Sequence, residues 1–177
     1  MGGAKVDDKL PIIKSLLDRC DYLLTGGGIA NSFLKAKGAD VGGSIATDDE
    51  EILKTLRELM DKYKHKIVLP VDFTIDDGII YDIGNKSLEL YKKYINQSEI
   101  IFVNGTCGKF EDDRFTEGTS GLFKILKESG KKVIVGGGDT VSAAKKFGYS
   151  FDFMSSGGGA TLEYIADGTL KALEWME

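Results

Sequence analysis

Cysteine, proline, tryptophan and histidine are all scarce in this chain: its 177 residues hold two cysteines, two prolines, one tryptophan and one histidine. Cys20 and Cys107 lie far apart and form no C-x-x-C, so neither a disulfide framework nor a zinc site is indicated, and a reducing compartment is expected. No Ser-His-Asp or Cys-His set is visible, since the sole histidine, His65, stands among lysines just before an apolar run. The apolar runs are only five or six residues long and no signal peptide leads the chain, so a cytoplasmic protein without a membrane span is expected. A basic stripe is missing as well. The formal net charge of −5 argues against bulk nucleic-acid binding, and an anionic small molecule would have to be held by local devices. Arg19, Arg57 and Arg114 are scattered and assemble no anion pocket of their own.

Glycine is what the chain has in excess. Its 23 glycines are close to twice the usual count, average usage being about 7%. They are clustered and not periodic, which excludes a collagen-like or linker reading. The clusters are GGAK at 2–5, TGGGIAN at 25–31, VGGGDT at 135–140 and SSGGGAT at 155–161, and three of the four sit where an apolar run meets a helical pattern. A glycine turn at such a junction lets backbone N–H groups approach an anion and aims the positive end of a helix at it. Several such turns, with lysines near the head of the chain, point to a polyphosphate site.

A chain of this length can bury roughly 70% of its unfolded surface, enough for one well-cored domain. Candidate strands are Asp21–Gly26, Lys66–Phe73, Glu99–Gly105, Lys131–Gly136 and Phe151–Ser156, each β-branched or aromatic and closed by glycine, proline or small polar residues. Helical periodicity fills the intervals at Asp8–Cys20, Thr47–Lys64, Gly84–Ile95, Glu117–Ser129 and Thr140–Phe147. Thr74–Tyr81 reads as an excursion between strand and helix, hairpin-like or irregular. Strict alternation predicts an α/β fold: a three-layer, doubly wound, mostly parallel sheet of Rossmann-like type with helices on both faces. Ligands on such sheets bind beyond the strand C-termini, where the glycine clusters fall. Gly2 and Gly3 have no room for a strand before them, so this turn either docks at a free sheet edge or follows a strand belonging to a longer polypeptide.

Two motif readings fail. GGGIAN and GGGDTV both lack the third glycine of a dinucleotide fingerprint, and GTCGK is too short for a P-loop. On residue type alone, Asp139 is an N-cap for a following helix, Lys5 is as well explained by solvation as by ligation, and Gly26, Gly27 and Gly28 serve close helix-to-strand packing as readily as ligand contact. Lys9 lies four residues after Lys5 and would share its face on a helix.

Eight segments in order, GGAKVDDKL, LLTGGGIANSFLKAKG, LPVDF, DIGNKS, FVNGTCGKFED, FTEGT, GGGDTVSAAKKFG and SSGGGATLEYI, resemble the C-terminal, nucleotide-binding half of phosphoglycerate kinases. The resemblance covers nearly the whole chain and implies that residues 1–177 form one nucleotide-binding domain, without the N-terminal domain that holds 3-phosphoglycerate. It implies transfer of a phosphoryl group between 1,3-bisphosphoglycerate and ADP in glycolysis, with magnesium accompanying ADP or ATP, a reaction made mostly of positioning and charge stabilisation. Lys5 is implied as a ligand of the moving phosphoryl group, with Gly138 and the turn at Gly158 facing it. Lys9, Asn104, Gly137 and Thr140 are implied around the phosphates. Glu111 would accept from the ribose hydroxyls, Ala4, Gly26, Gly27, Gly28 and the region near Ile79 and Ile80 would border the adenine, and Gly3, Thr106 and Gly136 are implied as further nucleotide-binding residues. Asp139 is implied as the magnesium carboxylate, directly or through water. Thr106 and Lys109 depart from the family's proline and apolar residue, which puts the stiffness of that loop in question. Leu170, Leu173 and Trp175 replace the family's usual tail and are expected to cover an apolar face. On this reading the isolated chain binds nucleotide without turnover. The alternative is a stand-alone, non-catalytic nucleotide-binding module.

Overall fold

A computed structural model describes residues 1–167; the expectation for Leu170, Leu173 and Trp175 lies outside them. A 3-10 turn at Asp7–Lys9 leads into α1 (Leu10–Arg19), followed by β1 (Leu23–Leu24), α2 (Gly27–Ala36), α3 (Glu50–Lys62) and β2 (Ile67–Val68). A hairpin of β3 (Phe73–Asp76) and β4 (Ile79–Ile83) precedes α4 (Asn85–Gln97), β5 (Ile100–Asn104), α5 (Glu117–Glu128), β6 (Lys132–Gly136), α6 (Gly138–Lys146), β7 (Phe153–Ser155) and α7 (Gly158–Asp167). All five expected strands and the hairpin are present, with shorter ends than the apolar runs suggested.

The parallel strands form two ladders. β1 pairs with β2, and β5, β6 and β7 pair in that order. The hairpin is antiparallel and turns through Asp77 and Gly78, both at positive φ (47° and 72°), the two-residue loop geometry that favours Asp-Gly. The opening residues join the two ladders. The Met1 nitrogen donates to Leu24 O at 2.8 Å and Gly26 N–H donates to Met1 O at 3.0 Å, while Gly2 N–H reaches Asn104 O at 2.7 Å. The first glycine turn is thus wedged between β1 and β5, which excludes the free-edge alternative.

Alternation along β1 and β2 sends side chains to opposite faces. Leu23 and Ile67 pack with Ile13 and Leu17 of α1, Ile29 and Phe33 of α2, and Leu53 and Leu56 of α3. Leu24 and Val68 face the second core, built from Leu88, Tyr91 and Ile95 of α4, Phe123 and Leu126 of α5, Val133 and Val135 of β6, and Ala143 and Ala144 of α6. Helices therefore cover both faces, as the buried parallel strands require. α3 shows the local logic. Asp49 accepts from the N–H groups of Glu51 and Ile52 at 2.9 and 3.2 Å, and the stripe Leu53, Leu56, Leu59 is buried.

Candidate functional site

The four glycine clusters meet at one rim, beyond the C-terminal ends of β1, β5, β6 and β7. A Cβ placed on Gly27 would lie 3.0 Å from Gly3 O and 3.1 Å from Thr106 O; one on Gly137 would lie 2.8 Å from Asn104 Nδ2, and one on Gly158 3.2 Å from Gly137 Cα. A Cβ on Gly28 would overlap the Ala4 carbonyl, and one on Gly26 would sit 3.0 Å from Cys107 Cα. At Gly26, Gly27, Gly28 and Gly158 the neighbour's main chain occupies the space a side chain would need, at Gly137 the Asn104 side chain does, and Gly138 and Gly159 are open.

Close approach is not the same as a free donor. Gly3 N–H goes to Thr106 O at 3.0 Å, Gly26 N–H to Met1 O, Gly27 N–H to Cys107 O at 2.8 Å, Gly137 N–H to Ser155 O at 2.8 Å and Gly158 N–H to Ser156 O at 2.9 Å. The expectation that Gly137 and Gly158 offer their own N–H groups is corrected on this ground. Thr140 is likewise engaged: 1% exposed, its hydroxyl donates to Gly136 O at 3.0 Å and accepts from Gly105 N–H at 2.7 Å. Among the described residues, the N–H groups of Gly138 and Asp139 in the first turn of α6, and of Gly159 and Ala160 in the first turn of α7, have no acceptor. These four belong to exposed residues and, with two helix dipoles behind them, face outward at the rim, whereas the N–H groups of Gly28 and Thr140, also without an acceptor among the described residues, belong to buried ones.

Charged side chains gather beside them. Lys9 Nζ donates to Gly2 O at 2.8 Å and is held below the usual lysine range by burial, partly offset by the charges of Asp139 and Asp8. Lys5 is exposed on an irregular segment ahead of the 3-10 turn, so the helical i, i+4 relation to Lys9 does not hold. Asp139 is exposed and caps nothing, the N-cap of α6 being Gly137 at φ 105°. That removes the capping explanation and leaves its carboxylate free at the positive end of a helix. Asn104 lies beneath the β6–α6 turn, 4% exposed, with Nδ2 on Gly136 O at 2.8 Å and a buried Oδ1 that lacks a partner.

Apolar side chains lie beside the β1–α2 turn. Ala4 is exposed, Ile80 is half-buried with its N–H on Ser44 Oγ at 2.8 Å, and Ile45 is 62% exposed with Cγ2 3.0 Å from where a Gly28 Cβ would be. Ile45 was not singled out from sequence. Its signal was an isoleucine after Gly-Gly-Ser that belongs to no helical or strand period.

The family model for phosphoglycerate kinase matches residues 1–168. The chain belongs to the phosphoglycerate kinase family. It is 40% identical over 186 residues to the phosphoglycerate kinase of Rubrobacter xylanophilus, covering 93% of this chain and 47% of that protein. It is also 40% identical over 195 residues to that of Aquifex aeolicus, covering 98% and 49%. Among solved structures, the phosphoglycerate kinase of Coxiella burnetii superposes with a TM-score of 0.88 at 34% identity, over 98% of this chain and 50% of that one. The chain thus spans about half the length of the relatives it matches.

Two departures from the phosphoglycerate kinase pattern now have a physical account. Thr106 Oγ1 donates to Gly108 O at 3.0 Å, closing by a hydrogen bond the loop that a proline would stiffen by its ring. Lys109 lies over the Tyr81 ring, 5.6 Å from its centroid, and its N–H donates to Tyr81 O at 2.9 Å. Glu111 is exposed at the end of this loop. Asp72, whose role the sequence left open, accepts from the N–H groups of Lys86 and Ser87 at 3.0 and 2.7 Å and so anchors the start of α4. Cys20 and Cys107 are free thiols, and burial pushes Cys107 up to about 12. No described helix is long and apolar enough to cross a membrane.

Proposed function

We propose that this chain is the Mg-nucleotide half of a phosphoglycerate kinase, holding ADP or ATP at the glycine rim for phosphoryl exchange with 1,3-bisphosphoglycerate bound on an N-terminal domain. The observation that carries this reading is the convergence of free first-turn donors of α6 and α7 with Lys9 and an uncapped Asp139 at one edge of the fold. The apolar side chains of Ala4, Ile45 and Ile80 would border the adenine, Glu111 would meet the ribose, and the donors of Gly138 and Asp139 the phosphates. Lys5, exposed and unpaired in a segment beside the rim, has the reach to follow the transferring group as its charge shifts.

The donor set suits magnesium. Among the described residues no cluster of three or more metal-ligating side chains exists, and Asp139 is a single hard oxygen donor. Magnesium is commonly held by one or two carboxylates together with substrate phosphates and water, which is what one aspartate beside a phosphate cradle can supply. When bound, the ion neutralises charge on the phosphate oxygens. The chain's own residues orient the nucleotide and supply N–H dipoles that need no reorganisation as charge moves.

Calorimetry with ADP, with and without magnesium, tests the binding half. A coupled assay with and without a separately supplied N-terminal domain from a relative tests the catalytic half. Magnesium-dependent heat with turnover only in the mixture is the expected result. Binding without turnover in either case would reduce the chain to a non-catalytic nucleotide module, and absence of binding would overturn the reading altogether.

A further inference from the structure

Asp82, near the end of β4, touches none of the rim groups described above, yet it is a carboxylate only 1% exposed. Its Oδ2 accepts from Gly118 N–H at 2.6 Å and its Oδ1 from Ile83 N–H at 2.9 Å. A Cβ on either Gly108 or Gly118 would overlap the carboxyl group, so the loop leaving β5 and the first turn of α5 both lie flush against it. The chain neighbours of these contacts tie the same loop down. Cys107 N–H donates to the hydroxyl of Thr119, the residue after Gly118, at 3.1 Å, and Lys109 N–H donates to the carbonyl of Tyr81, the residue before Asp82, at 2.9 Å. β4, α5 and the segment Asn104–Glu111 therefore meet on one buried carboxylate.

We propose that Asp82 is a positioning residue for nucleotide binding: by clamping the first turn of α5 to β4 it fixes the Asn104–Glu111 loop at the rim. This rests on the nucleotide reading given above, since that loop carries the side chains assigned to ribose and phosphate. Asp82 itself meets no substrate and acts through Thr119 and Tyr81. The titratable groups facing it are Glu117 on α5 and Cys107 on the loop, both acids, so neither offers a balancing positive charge. Burial pushes the Asp82 carboxyl up to about 7, against the pull of the two N–H bonds and with some help from Glu117. Near neutral pH the clamp is then a mixture of carboxylate and acid. Protonation weakens its charge-assisted bond to Gly118, and the loop loosens.

The test is calorimetric titration of the intact chain with Mg-ADP at pH 6, 7 and 8, comparing wild type with Asp82→Asn, an isostere that accepts a hydrogen bond but cannot ionise. Wild-type affinity should rise with pH by about fivefold more than that of Asp82→Asn, whose residual slope reports the nucleotide's own phosphate, with a second pKa near about 6. At pH 8 the variant should bind about tenfold more weakly. Equal affinities at every pH would overturn the proposal. Amide hydrogen exchange without nucleotide separates this from failure of the nucleotide reading: Cys107 and Lys109 amides should exchange faster in Asp82→Asn while those of β6 do not. A changed exchange pattern with no ADP binding in wild type would sink the nucleotide reading and keep the clamp. Unchanged exchange with normal ADP binding would sink the clamp. Should Asp82→Asn not fold, Thr119→Val cuts the neighbouring tether and should lower ADP affinity with the wild-type pH slope intact; unchanged affinity there overturns the idea equally.

Discussion

The β1–α2 turn, TGGGIAN, and the β6–α6 turn, VGGGDT, carry nearly the same letters and serve different ends. In the first, Gly26 and Gly28 are buried, Gly27 sits at φ 56°, and a methyl group on any of the three would meet main-chain atoms at 3.0 Å or closer. The N–H groups of Gly26 and Gly27 are already bonded within the protein. In the second, Gly138 is exposed, a Cβ there would meet nothing within 4 Å, and its N–H has no acceptor among the described residues. One glycine run exists to let backbones touch, the other to leave backbone donors uncovered. A glycine motif alone does not distinguish the two. What surrounds each N–H does.

The sharpest way to break this contrast is a methyl group in the packed turn. Gly28→Ala improves intrinsic helix propensity by about 1 kcal/mol, but the added carbon overlaps the Ala4 carbonyl, which is main chain and cannot swing aside. Forcing extra carbon into a closed contact costs about 1–3 kcal/mol, and the upper end applies where backbone must shift. We expect a net loss of about 2 kcal/mol, read from the urea midpoint. A stability equal to wild type would mean that the first turn is as open as the second.

Asp139→Asn probes the open turn through charge. Asp139 caps nothing, so stability should hold within about 0.5 kcal/mol. Magnesium-dependent ADP affinity should fall by about tenfold, roughly 1.4 kcal/mol, while the metal-free component stays near wild type. An unchanged magnesium response would strip Asp139 of its metal role. Lys9→Met should weaken ADP binding with or without magnesium by a similar factor if, as proposed, the ammonium faces phosphate and not the ion. It also removes the bond to Gly2 O, so a small stability loss of about 1 kcal/mol accompanies it.

Much of this arrangement was legible in the chain. Alternating apolar runs and helical periods located all five parallel strands, and the excursion expected at Thr74–Tyr81 is the hairpin, although its turn at Asp77–Gly78 was not singled out. The convergence of the glycine clusters beyond the strand ends followed from topology. Donor occupancy was not legible, because it depends on contacts between segments far apart in sequence: Ser155 takes the Gly137 N–H, and Gly105 and Gly136 take the Thr140 hydroxyl. The helical relation between Lys5 and Lys9 fails for a local reason, since the first helical turn begins only after Lys5. Asp82 and Ile45 were invisible in another way. A buried carboxylate and an exposed isoleucine each run against their usual solvent preference, and only the fold reveals which of them does so.

The smallest effect sought isolates a single donor. Gly138→Pro removes the N–H of the first residue of α6, the one helical position where proline is well tolerated because that N–H has no partner in the helix. Gly138 is helical and not at positive φ, and Gly137, at φ 105° and ψ 141°, lies outside the α region that a following proline disfavours. Stability should therefore change by less than about 0.5 kcal/mol, as for other substitutions at open surface positions. The lost N–H would have bonded a phosphate, and a hydrogen bond to a charged group is worth about 1.5–3 kcal/mol. Water and the neighbouring Asp139 N–H recover part of that, so ADP affinity should drop by only about fivefold. Proline at Gly27 cannot serve as a matched control, because φ 56° there is closed to it. Gly138→Ala can, for it fills the same open space and keeps the N–H. If Gly138→Ala and Gly138→Pro weaken ADP equally, bulk and not the missing donor is responsible, and the distinction between a packed turn and a presenting turn fails at its best-defined atom.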